Sequence, residues 1–229
     1  MLRSLRNRFM RLVDAFFDDP KAKMKPDKII VGLGNPGAQY RGTRHNVGFA
    51  TIAELVDRYS LGSPRRMFHS DAWELRLDDV NVLLLCPQTF MNLSGTAVAE
   101  ATRFYKLTPK SDLFVICDDI DLPVAKLRIR ESAGSGGQKG LKDVASKLGS
   151  QDFARLRIGV GRPSSSGEVV DFVLTKFRAD ERVDVEIAIK NAADAAVLWA
   201  EKGCAEAMNK HNVGEKAVRR SADEKKKSS

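Results

Sequence analysis

The sequence predicts one α/β domain, a mixed and twisted sheet flanked by helices. Three observations carry that expectation. Short apolar runs alternate with amphipathic stretches of helical period along the body of the chain. Two of the runs, "VLLLCP" and "LFVICDD", are continuous rather than alternating, as in strands covered on both faces. A third stretch, "AWELRLDDVNVLLLCP", has the form of a hairpin whose second strand is buried. With 229 residues, 43% of them hydrophobic and 30% charged, the chain is long enough for a single core of ordinary size. No apolar run approaches the roughly 20 residues that span a bilayer.

Taken in order, "KIIVGLG" reads as a strand and "VGFATIAELVDRY" as an amphipathic helix. The hairpin follows. "SGTAVAEATRFYKL" is a helix headed by Ser94 as its cap, "DLFVICDD" a buried strand, and "VAKLRIRES" an alternating, half-exposed one. "GLKDVASKLG" is a helix, "ARLRIGVG" a strand, and 179–202 a final helix of periodic Ala, Val and Ile. Ahead of this body, residues 1–25 form an amphipathic helical extension. Leu2, Leu5, Phe9, Leu12 or Val13, and Phe16 share one face, and Pro20 lies just beyond the end. Such a helix docks on the body, binds an RNA or membrane surface, or acts as a transit peptide. Asp14, Asp18 and Asp19 count against the last. Residues 213–229 carry too little apolar surface to bury and read as a basic disordered tail.

The formal charge of +8 invites a nucleic-acid partner. Its placement qualifies that: the two ends hold +4 and +3, leaving +1 for residues 26–212. A polyanion must therefore meet local patches or the tails. Cys86, Cys117 and Cys204 are odd in number, widely spaced and without metal-ligand spacing, which points to a reducing compartment and no disulfide.

"GLGNPG" has the Gly-x-Gly-x-x-Gly spacing of a dinucleotide-binding turn. That turn must lead straight into a helix, so that the helix N-terminus faces the pyrophosphate. Pro36 instead restricts Asn35 to extended backbone, helical periodicity begins only near Asn46, and Glu54 falls inside that helix. A strand ending in a tight, exposed turn that presents the Asn35 side chain is the better account. "SAGSGGQKGLKD" fails as a P-loop because Gly140 follows Lys139 where Ser or Thr is required. It reads as a phosphate-facing helix N-terminus or a mobile lid.

Of three histidines, His69 and His211 read as surface residues. His45 lies in "TRHNVGF", in the loop that follows the strand carrying Asn35, where α/β proteins place their sites. On local sequence it is either functional or incidental, with Asn46 capping the helix. "LFVICDDID" ends a strand in Asp118, Asp119 and Asp121, which can cap turns, bind a metal or orient a histidine. "PQTFMNLSG" closes another strand with Phe90, Met91 and Asn92. Two strand-end asparagines, a histidine and an aspartate fit neutral hydrogen bonding to amide-like groups. No serine sits in a nucleophile elbow.

"IVGLGNPGAQYRGTRHNVGF", "TFMNLSG", "DDIDLP", "GLKDVASKLG" and "RLRIGVGRP", in this order and spacing, resemble bacterial-type peptidyl-tRNA hydrolase from about Lys28 to Asn212. The resemblance implies that fold over residues 26–212. It also implies hydrolysis of the ester between peptide and tRNA, recycling tRNA after abortive translation, with neither metal, cofactor nor covalent nucleophile. It makes His45 the general base, Asp118 its orienter, Asn35 the contact that rejects free aminoacyl-tRNA, and Asn92 the group on the peptide backbone and oxyanion. Tyr40, Phe90, Met91 and Lys139 would line the substrate groove, and Arg128, Arg130 and Arg157 would face tRNA phosphates. The glycines of "GLGNPG" would turn the backbone and leave room for substrate. The partners implied are peptidyl-tRNA and tRNA, with no membrane partner, for a cytoplasmic monomer. In one departure, Gln138-Lys139 stand where the family has His-Asn, putting an ammonium in place of an amide. Two other readings compete: a non-catalytic RNA-binding paralogue like the chloroplast intron-splicing factors, and a nucleotide-dependent oxidoreductase.

Overall fold

The computed structural model describes residues 24–163 and 168–212. Most of the predicted N-terminal extension, and all of the predicted tail, lie outside the described residues. β1 (Lys28–Gly32) sits at the centre of a seven-stranded sheet. Parallel to it run β4 (Val80–Pro87) on one side and β5 (Leu113–Asp119) on the other, and β7 (Ala154–Gly159) runs parallel to β5. The antiparallel strands lie outside this block. β3 (Ser70–Leu77) pairs with β4, β2 (Arg65–Met67) with β3, and β6 (Leu127–Arg130) with β7. The mixed sheet is the one expected.

The two-residue period of β1 sends Ile30 into one core and Ile29 and Val31 into the other. The Ile30 face is covered by α1 (Val47–Arg58), α6 (Arg182–Lys202) and α7 (Cys204–His211). There Phe114 of β5 stacks on Trp199 of α6, with ring centroids 4.9 Å apart. The opposite face is covered by α2 (Ser94–Phe104) and α4 (Lys139–Leu148). Two short helices, α3 (Pro109–Asp112) and α5 (Val169–Val173), complete the described elements.

Several expectations need correction. α6 is not the final helix: Gly203, at φ 86°, breaks it, and α7 follows. Strand β2 and helices α3 and α5 are too short to show a period in the sequence. Ser94 does not cap α2; its hydroxyl donates to the Met91 carbonyl. The first turn is served from a distance by Asp143 of α4, whose carboxylate accepts from the Gly95 N–H at 2.7 Å.

The glycines of "GLGNPG" also serve another purpose than room for substrate. A Cβ on Gly32 would lie 2.2 Å from the carbonyl oxygen of Gly48, and one on Gly34 would lie 2.7 Å from the Phe49 ring. A Cβ on Gly48 would in turn meet the Ile116 carbonyl at 2.5 Å. These bare positions let α1 press directly on the strand ends, which brings the Thr43–Asn46 loop onto the sheet. Gly37, at φ 114°, makes the turn itself.

At the free edge of β6, the side chain of Asn212 meets the main chain of Ile129. The Ile129 N–H donates to Oδ1 at 2.8 Å, and Nδ2 donates to the Ile129 carbonyl at 3.0 Å. One rung on the outer edge of β6, which has no partner strand among the described residues, is thereby completed by a side-chain amide. The neighbouring His211 was expected on the surface but is half-buried, and its Nε2 has no hydrogen-bond partner among the described residues. Burial first, and then the charge of Lys210, hold its pKa below the ordinary value.

Candidate active site

In the sheet, β1 is flanked by β4 on one side and β5 on the other, so the chain reverses its direction of winding there. A crevice outside the carboxyl ends of the strands is the expected ligand site at such a point. A cleft of about 480 Å³ occupies it. Asn35 enters from the end of β1, Phe90, Met91 and Asn92 from the turn after β4, and Asp118 from the end of β5. His45 comes from the 3-10 turn Arg44–Asn46 that precedes α1, while Gln138 and Lys139 come from the start of α4.

His45 Nδ1 lies 2.9 Å from Asp118 Oδ2, with the imidazole 13% and the carboxylate 4% exposed. An ionised carboxylate only accepts, so in the neutral imidazole Nδ1 carries the proton and Nε2 keeps its lone pair. The other two acids are engaged elsewhere: Asp119 pairs with Arg157 at 3.1 Å, and Asp121 pairs with Arg162. Cys117 is buried on the far side of β5, where burial pushes its thiol pKa well up. Among the described residues, no group of three His, Cys, Asp or Glu side chains is placed to hold a metal ion.

Asn35 is not on an exposed turn. It is 9% exposed, and its Oδ1 accepts from the Met91 N–H at 2.8 Å. Asn46 is what holds it there. The Asn46 amide accepts from the Asn35 N–H at 2.9 Å and donates to the Asn35 carbonyl at 3.0 Å, and it makes no cap bond to α1. With Oδ1 occupied, the Asn35 NH₂ is the end left to meet a ligand.

Asn92 and Phe90 are exposed at the cleft, and Met91 is buried beneath them. Val169, Val170, Val173 and Leu174, with Ile120, form an apolar wall. Lys139 is exposed at the rim. Tyr40 is half-buried in the turn Ala38–Tyr40, and neither it nor Arg128 or Arg130 is among the residues lining the cleft. Arg128 and Arg130 are half-buried on the edge strand β6. Arg157 is buried in the cleft wall, bonded to Asp119 and, at 2.7 Å, to the Gly134 carbonyl. Arg155 beside it bonds the carbonyls of Ala133, Gln151 and Phe153. Burial, and then the charge of Arg157, push its pKa down to about 10. The glycine-rich segment before α4, expected to be a lid or phosphate loop, is thus tied down at its start by two arginines.

Two participants escaped the sequence reading. Arg44 is 3% exposed and lies between the rings of Phe172 and Phe177, 4.5 and 4.7 Å from their centroids. It donates to the Val160 carbonyl and, at 2.6 Å, to Glu181, so it fixes the loop that carries His45. Gln138 had been noted only as a departure from a pattern, yet it is buried and bonded to Asp118. Its signal was the Gln three residues before Leu141, which is an N-cap position that also faces the site.

An imidazole bonded through Nδ1 to a carboxylate, in a cleft that two asparagines also line, is a group that can take a proton from water. Fold and cleft together define an α/β protein with a paired imidazole and carboxylate at the carboxyl edge of its sheet. The family model for peptidyl-tRNA hydrolase matches residues 29–221, running past the boundary expected at 212. A protein named peptidyl-tRNA hydrolase from Rhodopirellula baltica is 48% identical over 186 residues, covering 81% of this chain and 97% of that one. One of the same name from Brevibacillus brevis is 44% identical over 185 residues, with coverage of 81% and 97%. The crystal structure of peptidyl-tRNA hydrolase from Acinetobacter baumannii superposes with a TM-score of 0.75 at 34% identity, covering 81% of this chain and 94% of that one. This chain belongs to the peptidyl-tRNA hydrolase family.

Proposed function

We propose that the chain hydrolyses the ester joining a peptide to the terminal ribose of tRNA, with His45 as general base. The observation that carries this reading is the His45–Asp118 pair at 2.9 Å, in a cleft that Asn35 and Asn92 also line. Water attacks the ester carbonyl carbon as its proton passes to His45 Nε2. The carbonyl oxygen takes up the charge, and the Asn92 amide is the donor assigned to it. Collapse of the adduct breaks the bond to the ribose oxygen, which receives the proton from the imidazolium. The products are a peptide carboxylic acid and a tRNA with its hydroxyl restored.

The Asn35 NH₂ is assigned to the peptide, and Phe90, Met91 and the apolar wall to its side chains. Lys139 takes a substrate contact at the rim, and Tyr40 a more distal one. Arg128 and Arg130 on the edge strand are assigned to tRNA phosphates. Arg157, committed to Asp119, contributes its charge from inside the wall. We further assign the chain to the cytoplasm as a monomer without a membrane partner. Among the described residues, no helix is long and apolar enough to cross a membrane. The relatives reported above carry the hydrolase name, so the reading as a non-catalytic RNA-binding paralogue gains no support from them. The oxidoreductase reading loses its basis, because the space at Gly32 and Gly34 is filled by Gly48 and Phe49.

The test is incubation of the protein, with EDTA present, with N-acetyl-aminoacyl-tRNA and with unblocked aminoacyl-tRNA. Selective release of the blocked amino acid is the expected result. Tight tRNA binding without cleavage would overturn the catalytic assignment.

A further inference from the structure

The Asp118 carboxylate has two oxygens, and only Oδ2 is turned to His45. Oδ1 accepts from Gln138 Nε2 at 3.0 Å. Gln138 is 8% exposed, and its other amide end is equally committed: Oε1 accepts from the Leu141 N–H at 2.8 Å in the first turn of α4. This bond removes the usual ambiguity in an amide's orientation. A flipped Gln138 would set its oxygen against the carboxylate and its NH₂ against an N–H, losing both bonds. The same Nε2 lies 3.2 Å from Met91 Sδ, on the turn whose main chain holds Asn35.

We infer that Gln138 is a positioning residue for the reaction, a clamp that fixes the plane of Asp118 so that Oδ2 faces His45 Nδ1. Its two bonds run from the first turn of α4 to the carboxylate and from there to the imidazole. Seating of α4, and of the arginine-tied segment before it, therefore sets the aim of the base. Displacement of a reacting group by about 1 Å can cost 10²-fold in rate. An aspartate with one oxygen unsecured turns about its terminal bond and takes the imidazole with it. This inference rests on the reading of His45 as the base.

Three variants separate the clamp from the helix cap. Gln138→Met removes both bonds. Gln138→Glu keeps the acceptor for Leu141 but sets a carboxylate oxygen against Asp118 Oδ1. Gln138→His restores one donor and one acceptor on opposite ring nitrogens. Expected with N-acetyl-aminoacyl-tRNA is a kcat about 10- to 100-fold lower for Met and for Glu. KM should stay within about twofold and the His variant should recover to within about threefold of the parent, by the same positional argument. A loss in KM instead of kcat would make Gln138 a substrate contact and overturn the inference. So would a Glu variant as active as the parent, or a His variant no better than Met. Should the Met variant fail to fold, the Glu variant, with its cap kept, still decides. Imidazole ¹⁵N NMR gives a readout free of activity, and with three histidines in the chain assignment is direct. His45 should carry its proton on Nδ1 in the parent and lose that preference in the Glu variant; an unchanged tautomer would overturn the clamp. If the parent shows the tautomer but cleaves no blocked tRNA, the functional reading fails and the clamp stands.

Discussion

Asn35 and Asn46 are the same residue type eleven positions apart, and they do opposite work. Asn46 uses its whole amide on the Asn35 main chain, whereas Asn35 keeps one end for the cleft. Asn46→Ala should strand a buried N–H and a buried carbonyl at a cost of about 2 kcal/mol, readable as a lower urea midpoint. His45→Ala should leave that midpoint unchanged while kcat falls about 100-fold or more, the scale of general-base catalysis. Turnover within a few-fold of the parent would remove His45 from the role of base. The sequence led to Asn35 and Asp118 because each stands at a strand end, and to His45 because it lies in the loop that follows β1. It offered Asn46 only as a helix cap, in one of two open readings, because capping is the local rule for Asn at a helix start. A partner eleven residues back won, and no local rule sees such a partner.

At the scale of elements, α1 owes its place to absent side chains. Gly48→Ala puts a Cβ at 2.5 Å from both the Ile116 carbonyl and the main chain of Leu33, so helix and sheet must part. A loss of about 3 kcal/mol is expected, with a fall in activity as the His45 loop moves away from Asp118. Thermal unfolding and turnover should fall together. The loop's other anchor joins α6 to the same place. Burial raises the Glu181 pKa, but the bonds from Arg44 and the Arg178 N–H outweigh it and hold the value below the ordinary 4.5. A depressed carboxyl contributes stability above its unfolded pKa and loses it as pH falls through the folded one. The parent should therefore lose stability below about pH 4.5, whereas Glu181→Gln starts lower and shows a flatter acid limb. Leaving Arg44 buried without its anion should cost about 3 kcal/mol at pH 7. Of these elements, the strands and long helices were legible because their periods run over several turns or rungs. β2, α3 and α5 were not, being shorter than one clear period, and α7 was missed because its eight residues follow Gly203, where the helix read as final had already ended.

Over the whole molecule, charge and chemistry are separated. The body from 26 to 212 is nearly neutral, and most of the +8 stands on the two ends. Removal of residues 1–20 or 213–229 should weaken tRNA binding at low salt and make its salt dependence shallower, because fewer counterions are released. Hydrolysis of a minimal ester substrate should be unchanged, and a collapse in folding on removing 1–20 would place that segment in the core. The charge pattern was legible at once. The cleft was legible in part: its polar residues were read together, whereas the apolar wall of Val169, Val170, Val173 and Leu174 lies too far along the chain from Asn35 to be placed by local pattern.

Asn212 has a consequence for how copies of this chain treat one another. A strand with open main-chain groups at a sheet margin is a template onto which another copy can add its own strand. On β6 the rung at Ile129 is already filled by a side chain belonging to the same molecule. The amide that fills it stands just beyond α7, later in the chain than every strand of the sheet. A chain clipped just short of it would keep every residue that lines the cleft together with an open margin, a place for another copy to add a strand.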